Sequence, residues 1–357
     1  MSLPIEQRIA HYRAWAARQP LSRPMIGLLW EPDIRPLPAF MERVRPGRPI
    51  SPDQVDPELF LPYIEDCYRQ DSALDSDVIQ PFTPAFGIPW VEAIAGCPVV
   101  PYPGSLWAEP CVETYENRPP IVFDPENPWL RKLIEFTKAM VNCSSGRFAV
   151  ALPQMRGPLD TLAAMRGAQR MCLDLLEQPE ETVRLLNELT DLWISIAGAV
   201  LQAIPPYHGG YCTRMKMWAP GLAVNPQNDT STLISPAFYK RFVLPCDQQI
   251  TDHFPYHSFH MHSSEHHQID NLLALEKLTA IQLTLEQNIG GPPLSVSLPA
   301  ARRILEKKPL LLVALDVPTA DICLRELPAA GLCLMIGFNA PRIPEEYVRW
   351  LDTRLAG

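Results

Sequence analysis

The chain has 357 residues, 47% of them hydrophobic and 20% charged, enough for one large globular domain or two ordinary ones. A net charge of −9 offers no general phosphate-neutralising surface, so a nucleic-acid partner is not expected. No run approaches the roughly 20 apolar residues of a membrane span, the first residues lack the apolar core of a signal peptide, and nine scattered cysteines without a CxxC pair suit reduced thiols in a cytoplasmic protein.

Residues 1–24 read as an N-terminal helical extension. Apolar or alternating runs then recur at 25–30, 77–82, 148–153, 209–214, 256–262, 279–285, 309–315 and 332–336. Between most of them lie stretches of helical period, at 158–177, 179–204, 236–253, 264–277, 298–307 and 319–330. Strand–helix alternation at this spacing implies right-handed βαβ units and a parallel sheet. Eight such units predict a single α/β domain over residues 1–357, a (β/α)₈ TIM barrel. A doubly wound open sheet is the alternative, but no GxGxxG follows the first strand to support its dinucleotide reading. The connections 84–138 and 204–236 are too long for plain loops and are expected to be lids or pocket walls. The 40 prolines punctuate the chain as loop and helix-start markers and do not cluster in a disordered tract.

In a barrel the chemistry sits at the C-terminal ends of the strands. There the sequence supplies Trp30 and Glu31, Gln80, Gln154 and Arg156, Arg214, His260 and His262, Thr284 and Glu286, Asp316, and Asn339. The richest run is YHSFHMH, at 256–262. Side chains alternate along a strand, so Tyr256, Ser258, His260 and His262 share one face, and Gln282, Thr284 and Glu286 share a face of the next strand. His260, His262 and Glu286 are the residue types of a two-histidine, one-carboxylate set for zinc or iron. Without a metal, the same imidazoles titrate near neutrality and serve as substrate-binding or acid–base groups, the reading favoured by the sequence. His266 and His267 follow a serine pair of helix-cap type and belong on the rim or in solvent. Glu31 is a candidate acid–base group or a partner of Arg35, and Arg156 can clamp an anionic group. Trp30, Trp90, Trp107 and Trp218 can wall a pocket around an apolar or methylated substrate, or fill the core. Tyr207, His208 and Asn339 are further substrate-binding candidates.

Five segments carry a resemblance: LPQMRGPLDTLAAMRG (152–167), DLLEQPEETVRLLNEL (174–189), QNDTSTLISPAFYKRFVLP (227–245), FHMHSSEHHQIDNLL (259–273) and GLCLMIGFNAPRIPEEYV (331–348). In this order they resemble the uroporphyrinogen decarboxylase superfamily, whose members include the decarboxylase and the methyltransferases that serve corrinoid proteins. The resemblance runs from about residue 25 to the C-terminus. It implies a (β/α)₈ barrel and sets Asp229 on the family's pocket aspartate. The first strand, MIGLLWEPDIRPL, puts Trp30 and Glu31 where the decarboxylase has arginines that pair with a polycarboxylate, so uroporphyrinogen is not the expected substrate. The methyltransferases hold zinc through His-x-Cys after strand five and a later cysteine after strand eight. Here His260-Met261-His262, or in another register His262-Ser263-Ser264, takes the first place, and Phe338 or Asn339 the last.

The resemblance therefore implies a methyltransferase that moves a methyl group from a small methylated substrate to a corrinoid protein or a thiol. His260, His262 and Glu286 would polarise or protonate the leaving group, Glu31 and Asp229 would position the substrate, and Trp30 and Trp218 would shape the pocket. The alternative is a lyase, a decarboxylase of a small carboxylated substrate with Arg156 as its clamp. Zinc, and a corrinoid carried by a partner protein, are the cofactors implied. A homodimer stays open.

Overall fold

The computed structural model describes residues 3–116 and 118–355. Its strands, in chain order, are β1 (Met25–Trp30), β2 (Pro81–Phe82), β3 (Val99–Tyr102), β4 (Ser105–Ala108), β5 (Ala149–Val150), β6 (Tyr211–Cys212), β7 (Trp218–Ala219), β8 (Ala223–Val224), β9 (Tyr256–His262), β10 (Ala280–Thr284), β11 (Leu310–Ala314) and β12 (Leu332–Phe338). Six form one curled parallel sheet in the order β1-β12-β11-β10-β9-β8, and β2 pairs in parallel with β5. β1, β11 and β12 are buried at nearly every position, as parallel strands covered on both faces must be.

The closed ring expected from the sequence is not complete. The ladder is open between β1 and β2 and between β5 and β8. Side chains take over at the first gap. The Ile26 amide donates to the Asp77 carboxylate at 2.8 Å, while the Asp77 amide donates to the Ile26 carbonyl at 3.0 Å. The missing side chain of Gly27 makes room for Val78, which a Cβ there would strike. Further along, the buried Lys216 ammonium donates to the Trp30 carbonyl at 2.9 Å and to the Gln80 side-chain oxygen, joining the two strand ends through a third segment.

The run 209–214, expected as the fourth barrel strand, instead contributes β6 to an antiparallel hairpin with β7. Gly210 permits this, because Trp218 packs where its Cβ would be. The place beside β9 belongs to β8, with Ala223 opposite Tyr256 and Val224 opposite His257, followed by a bridge between Gln227 and His260.

The helix Ile5–Ala16 closes the N-terminal end of the sheet. Its Tyr12 and Trp15 join an apolar layer built from strand starts, including Met25, Ala280, Leu311 and Cys333. The predicted helical stretch 158–177 is two helices, Pro158–Arg166 and Ala168–Glu177, broken at Gly167, whose φ of 81° favours glycine. The long connection 84–138 is a packed wall. It holds the helix Trp90–Ile94, the β3–β4 hairpin and most of the helix Pro128–Ser144. No helix among the described residues is long and apolar enough to cross a membrane.

Candidate active site

β9 and β10 run in parallel with His260 opposite Gln282 and His262 opposite Thr284. The two imidazoles share one face of β9, and their Nε2 atoms stand 3.3 Å apart with the rings 80° from coplanar. Each ring is held from behind. His260 Nδ1 donates to the Gln282 side-chain oxygen, and Gln282 in turn donates to Thr284 Oγ1 at 2.9 Å. His262 Nδ1 donates to Glu286 Oε1 at 2.8 Å.

The third member comes from the 204–236 connection. Its end folds as the short 3-10 helix Asp229–Leu233, pinned because Asp160 accepts the Asp229 amide at 3.0 Å and the Thr230 amide at 2.7 Å. A Cβ at Gly157 would collide with the Gln227 carbonyl and the Asn228 side chain, so the bare glycine lets this segment approach. Glu265 locks the facing turn by accepting the His262 amide and the Ser231 hydroxyl, each at 2.6 Å. The result puts Asp229 Oδ1 3.9 Å from His260 Nε2 and Oδ2 3.8 Å from His262 Nε2.

These donors fit a divalent metal. Ligand atoms of Asp229, His260 and His262 all lie within 4.8 Å of one another. Two imidazole nitrogens at zinc–nitrogen distances of about 2.0–2.1 Å and a tetrahedral angle would stand roughly 3.3 Å apart, as these do. Both histidines have Nδ1 bound to an outer acceptor, the usual arrangement behind metal-binding imidazoles. Asp229 Oδ1 is buried without a hydrogen-bond partner. Glu286, expected as the third ligand, is corrected to the carboxylate behind His262. It lies two residues past the end of β10 and meets Nδ1, the nitrogen facing away from the cluster.

The electrostatics divide the pair. Burial pulls His260 down to about 4, opposed by Asp229 and reinforced by the charge on His262. For His262, burial also lowers the pKa, but hydrogen bonds and charge from Asp229 and Glu286 override it and push it up to about 11. Burial raises Asp229, yet the two histidines and Arg156 outweigh it and hold this carboxylate below its usual range. Burial together with the charge of Asp229 raises Asp160 to about 7 and Glu265 to about 8. Asp229 and Glu286 thus favour the charged form of His262 and burial the neutral form of His260 across 3.3 Å, and a metal on both Nε2 atoms would displace the His262 proton.

A cleft of about 610 Å³ adjoins the cluster through Asp160 and Thr230, and its wall includes Tyr102, Trp107, Glu109 and Arg156. The histidines do not line it. Trp107 is 54% exposed there, on the β3–β4 hairpin. The Arg156 side chain is 41% exposed, with one guanidinium nitrogen 3.4 Å from the buried Glu92.

Most of the other predicted residues are held by partners of their own. Trp30 is buried, donates to the Ala340 carbonyl at 2.7 Å and stacks on Phe338, so it anchors the C-terminal segment and does not wall a pocket. Trp90 is likewise buried, donating to the Pro84 carbonyl at 2.7 Å. Trp218 belongs to the apolar layer at the N-terminal end, where its indole donates to the Tyr207 carbonyl at 3.0 Å. Tyr207 lines a small cleft there with Arg8 and Phe148, and His208 is exposed. Trp218 and Tyr207 sit among the strand starts, at the base of the β6–β7 hairpin, whose turn carries Arg214 and Lys216 to Glu31 and the Trp30 carbonyl. Glu31 pairs with Arg214 and not with Arg35. Asn339 is exposed beyond β12. His266 and His267 bond the Ser263 and Ile234 carbonyls at 3.1 and 3.2 Å.

Sequence reasoning missed Asp160 and Glu265, which set the geometry. Asp160 stands two residues after a helix-starting proline, where a carboxylate is commonplace, so nothing marks it.

Fold and site define an α/β chain with a half-barrel of parallel strands, carrying a two-histidine, one-carboxylate cluster at the strands' C-terminal ends. No protein-family model matches the chain, and no curated protein sequence matches it. Among solved structures it is similar to a methyltransferase from Methanosarcina mazei, with a TM-score of 0.66 over 97% of each chain at 14% identity. That likeness establishes the shared fold.

Proposed function

We propose that the chain is a cytoplasmic methyltransferase, a single domain of interrupted (β/α)₈ design, that moves a methyl group from a small methylated substrate to a thiol or a corrinoid protein. The observation carrying this reading is the convergence of Asp229, His260 and His262 at the C-terminal strand ends, in a fold shared with a methyltransferase. The free state of all nine cysteines suits the compartment. The three residues would hold zinc or ferrous iron, which when bound supplies a Lewis acid to an oxygen, nitrogen or sulfur of the reactants.

The protein's own groups do the rest. Gln282 fixes the tautomer of His260 so that an unprotonated Nε2 faces the cluster. Glu286 likewise takes the hydrogen bond of the His262 Nδ1 proton, so that its Nε2 also faces the cluster, where the heteroatom from which the methyl group departs would be polarised. Trp107 and Tyr102 give the incoming substrate an apolar wall, while Arg156 binds an anionic substituent. A carboxy-lyase acting on a small carboxylated substrate is the second reading, favoured by the half-exposed guanidinium of Arg156 on the cleft.

The test is a panel of methoxylated and methylated donors, incubated with the protein and either a thiol or reduced corrinoid. Formation of thioether or methylcobalamin supports methyl transfer. Carbon dioxide from small acids, with no methylated acceptor, supports the lyase and sinks the proposal.

A further inference from the structure

The wall of the cleft carries a pair of groups that methyl transfer does not use. Cys97 and Cys111 flank the β3–β4 hairpin, and their Sγ atoms stand 3.6 Å apart. The Glu109 amide donates to the Pro98 carbonyl at 2.9 Å, which extends the hairpin ladder between them. Each cysteine is also held from outside the hairpin. The Cys97 amide donates to the Glu92 carbonyl at 2.9 Å, and the Cys111 amide to the Met165 carbonyl at 3.0 Å. Among the described residues, no other two cysteine sulfurs are in hydrogen-bonding contact.

The two thiols are not equivalent. Cys97 is buried, whereas Cys111 is exposed and lines a groove of about 720 Å³ together with Ala95 and Gly96. The hydrogen bond between them raises Cys97 and lowers Cys111. An accessible thiol with its pKa lowered by a second thiol in contact is the arrangement of a redox-active pair.

We propose that Cys97 and Cys111 are a peroxide-oxidisable pair that closes to an intramolecular disulfide and staples the base of the hairpin walling the cleft. The Cys111 thiolate attacks a peroxide oxygen. The O–O bond breaks, the departing oxygen takes a proton and leaves as water, and Cys111 becomes a sulfenic acid. The Cys97 sulfur then attacks the Cys111 sulfur. The S–O bond breaks, and the hydroxide leaves as a second water with the Cys97 proton. Two thiols and one hydrogen peroxide give one disulfide and two waters, and a dithiol reductant reverses the change. Tyr102, Trp107 and Glu109 all lie inside the closed loop, so oxidation fixes the residues that face the cleft.

The test treats the full-length protein with a small excess of hydrogen peroxide, then counts free thiols and maps peptides without reduction. The expected result is a fall from nine free thiols to seven (9 − 2), with a cross-linked peptide joining Cys97 to Cys111 that dithiothreitol releases. Amides of residues 99–108 should exchange hydrogen several-fold more slowly in the oxidised protein. Cys97→Ser should leave a Cys111 sulfenic acid that dimedone traps, and Cys111→Ser, at an exposed position, should give no cross-link. Peroxide that oxidises other thiols first, or a native Cys111 that accumulates as sulfenic acid without cross-linking, overturns the proposal.

Discussion

Replacing Glu286 by Gln separates the two roles a carboxylate can play at this site. Gln keeps an acceptor for His262 Nδ1, now 2.8 Å from Glu286 Oε1, but removes the charge. Loss of such an outer partner typically weakens metal binding about 10–100-fold, roughly 1.4–2.7 kcal/mol. Asp229→Ala removes one of the three converging ligand atoms and so must cost more than Glu286→Gln. Competition with a chromophoric chelator for zinc near neutral pH reads both variants on one scale. Equal losses would make Glu286 the ligand, and wild-type affinity in both variants would show that zinc does not bind at this cluster.

Trp30→Ala should cost about 3–5 kcal/mol in urea unfolding, since it empties a buried indole site. Trp107→Ala should stay within roughly 0.5 kcal/mol of wild type and weaken substrate binding instead, because its indole faces the cleft. His257 is buried, and burial lowers it to about 4, below its unfolded value near 6.5. The unfolded chain therefore binds more protons between those values, and stability falls as pH drops through that window, by up to about 3 kcal/mol. His257→Gln should reduce the slope of the urea midpoint between pH 6.5 and 4 and leave the share of His260, which burial also lowers to about 4, and an unchanged slope would assign the acid sensitivity to other groups. Lys216→Met should lose about 1–3 kcal/mol by leaving the Trp30 carbonyl unpaired, and wild-type stability would show that the β1–β2 gap does not depend on this ammonium.

β1 and β9 to β12 were legible because long apolar or alternating runs leave little choice of face. β8 has only two residues and no pattern to find, while 209–214 looked like a strand and became half of a hairpin because Gly210 admits Trp218. The gaps in the ring depend on the Asp77 and Lys216 side chains, whose distant partners no local period encodes. At the site, strand alternation put His260 and His262 on one face, and the family resemblance pointed to Asp229. The exchange of Asp229 for Glu286 among the converging ligands could not be read, since it depends on how Gly157 and Asp160 seat a remote turn against β9. Tryptophans also misled. Trp30, Trp90 and Trp218 are buried, and the exposed Trp107 lies on the cleft because a hairpin carries it there.

The most direct test of the proposed chemistry is the rate of methyl transfer to a thiol or corrinoid acceptor by wild type and His262→Gln, compared at equal metal content. Removing the ligating nitrogen that stands beside Asp229 and is backed by Glu286 should lower the rate at least about 10–100-fold, the loss typical of removing only an outer partner. A His262→Gln protein as fast as wild type, or a wild type that methylates no acceptor from any donor, would contradict the account.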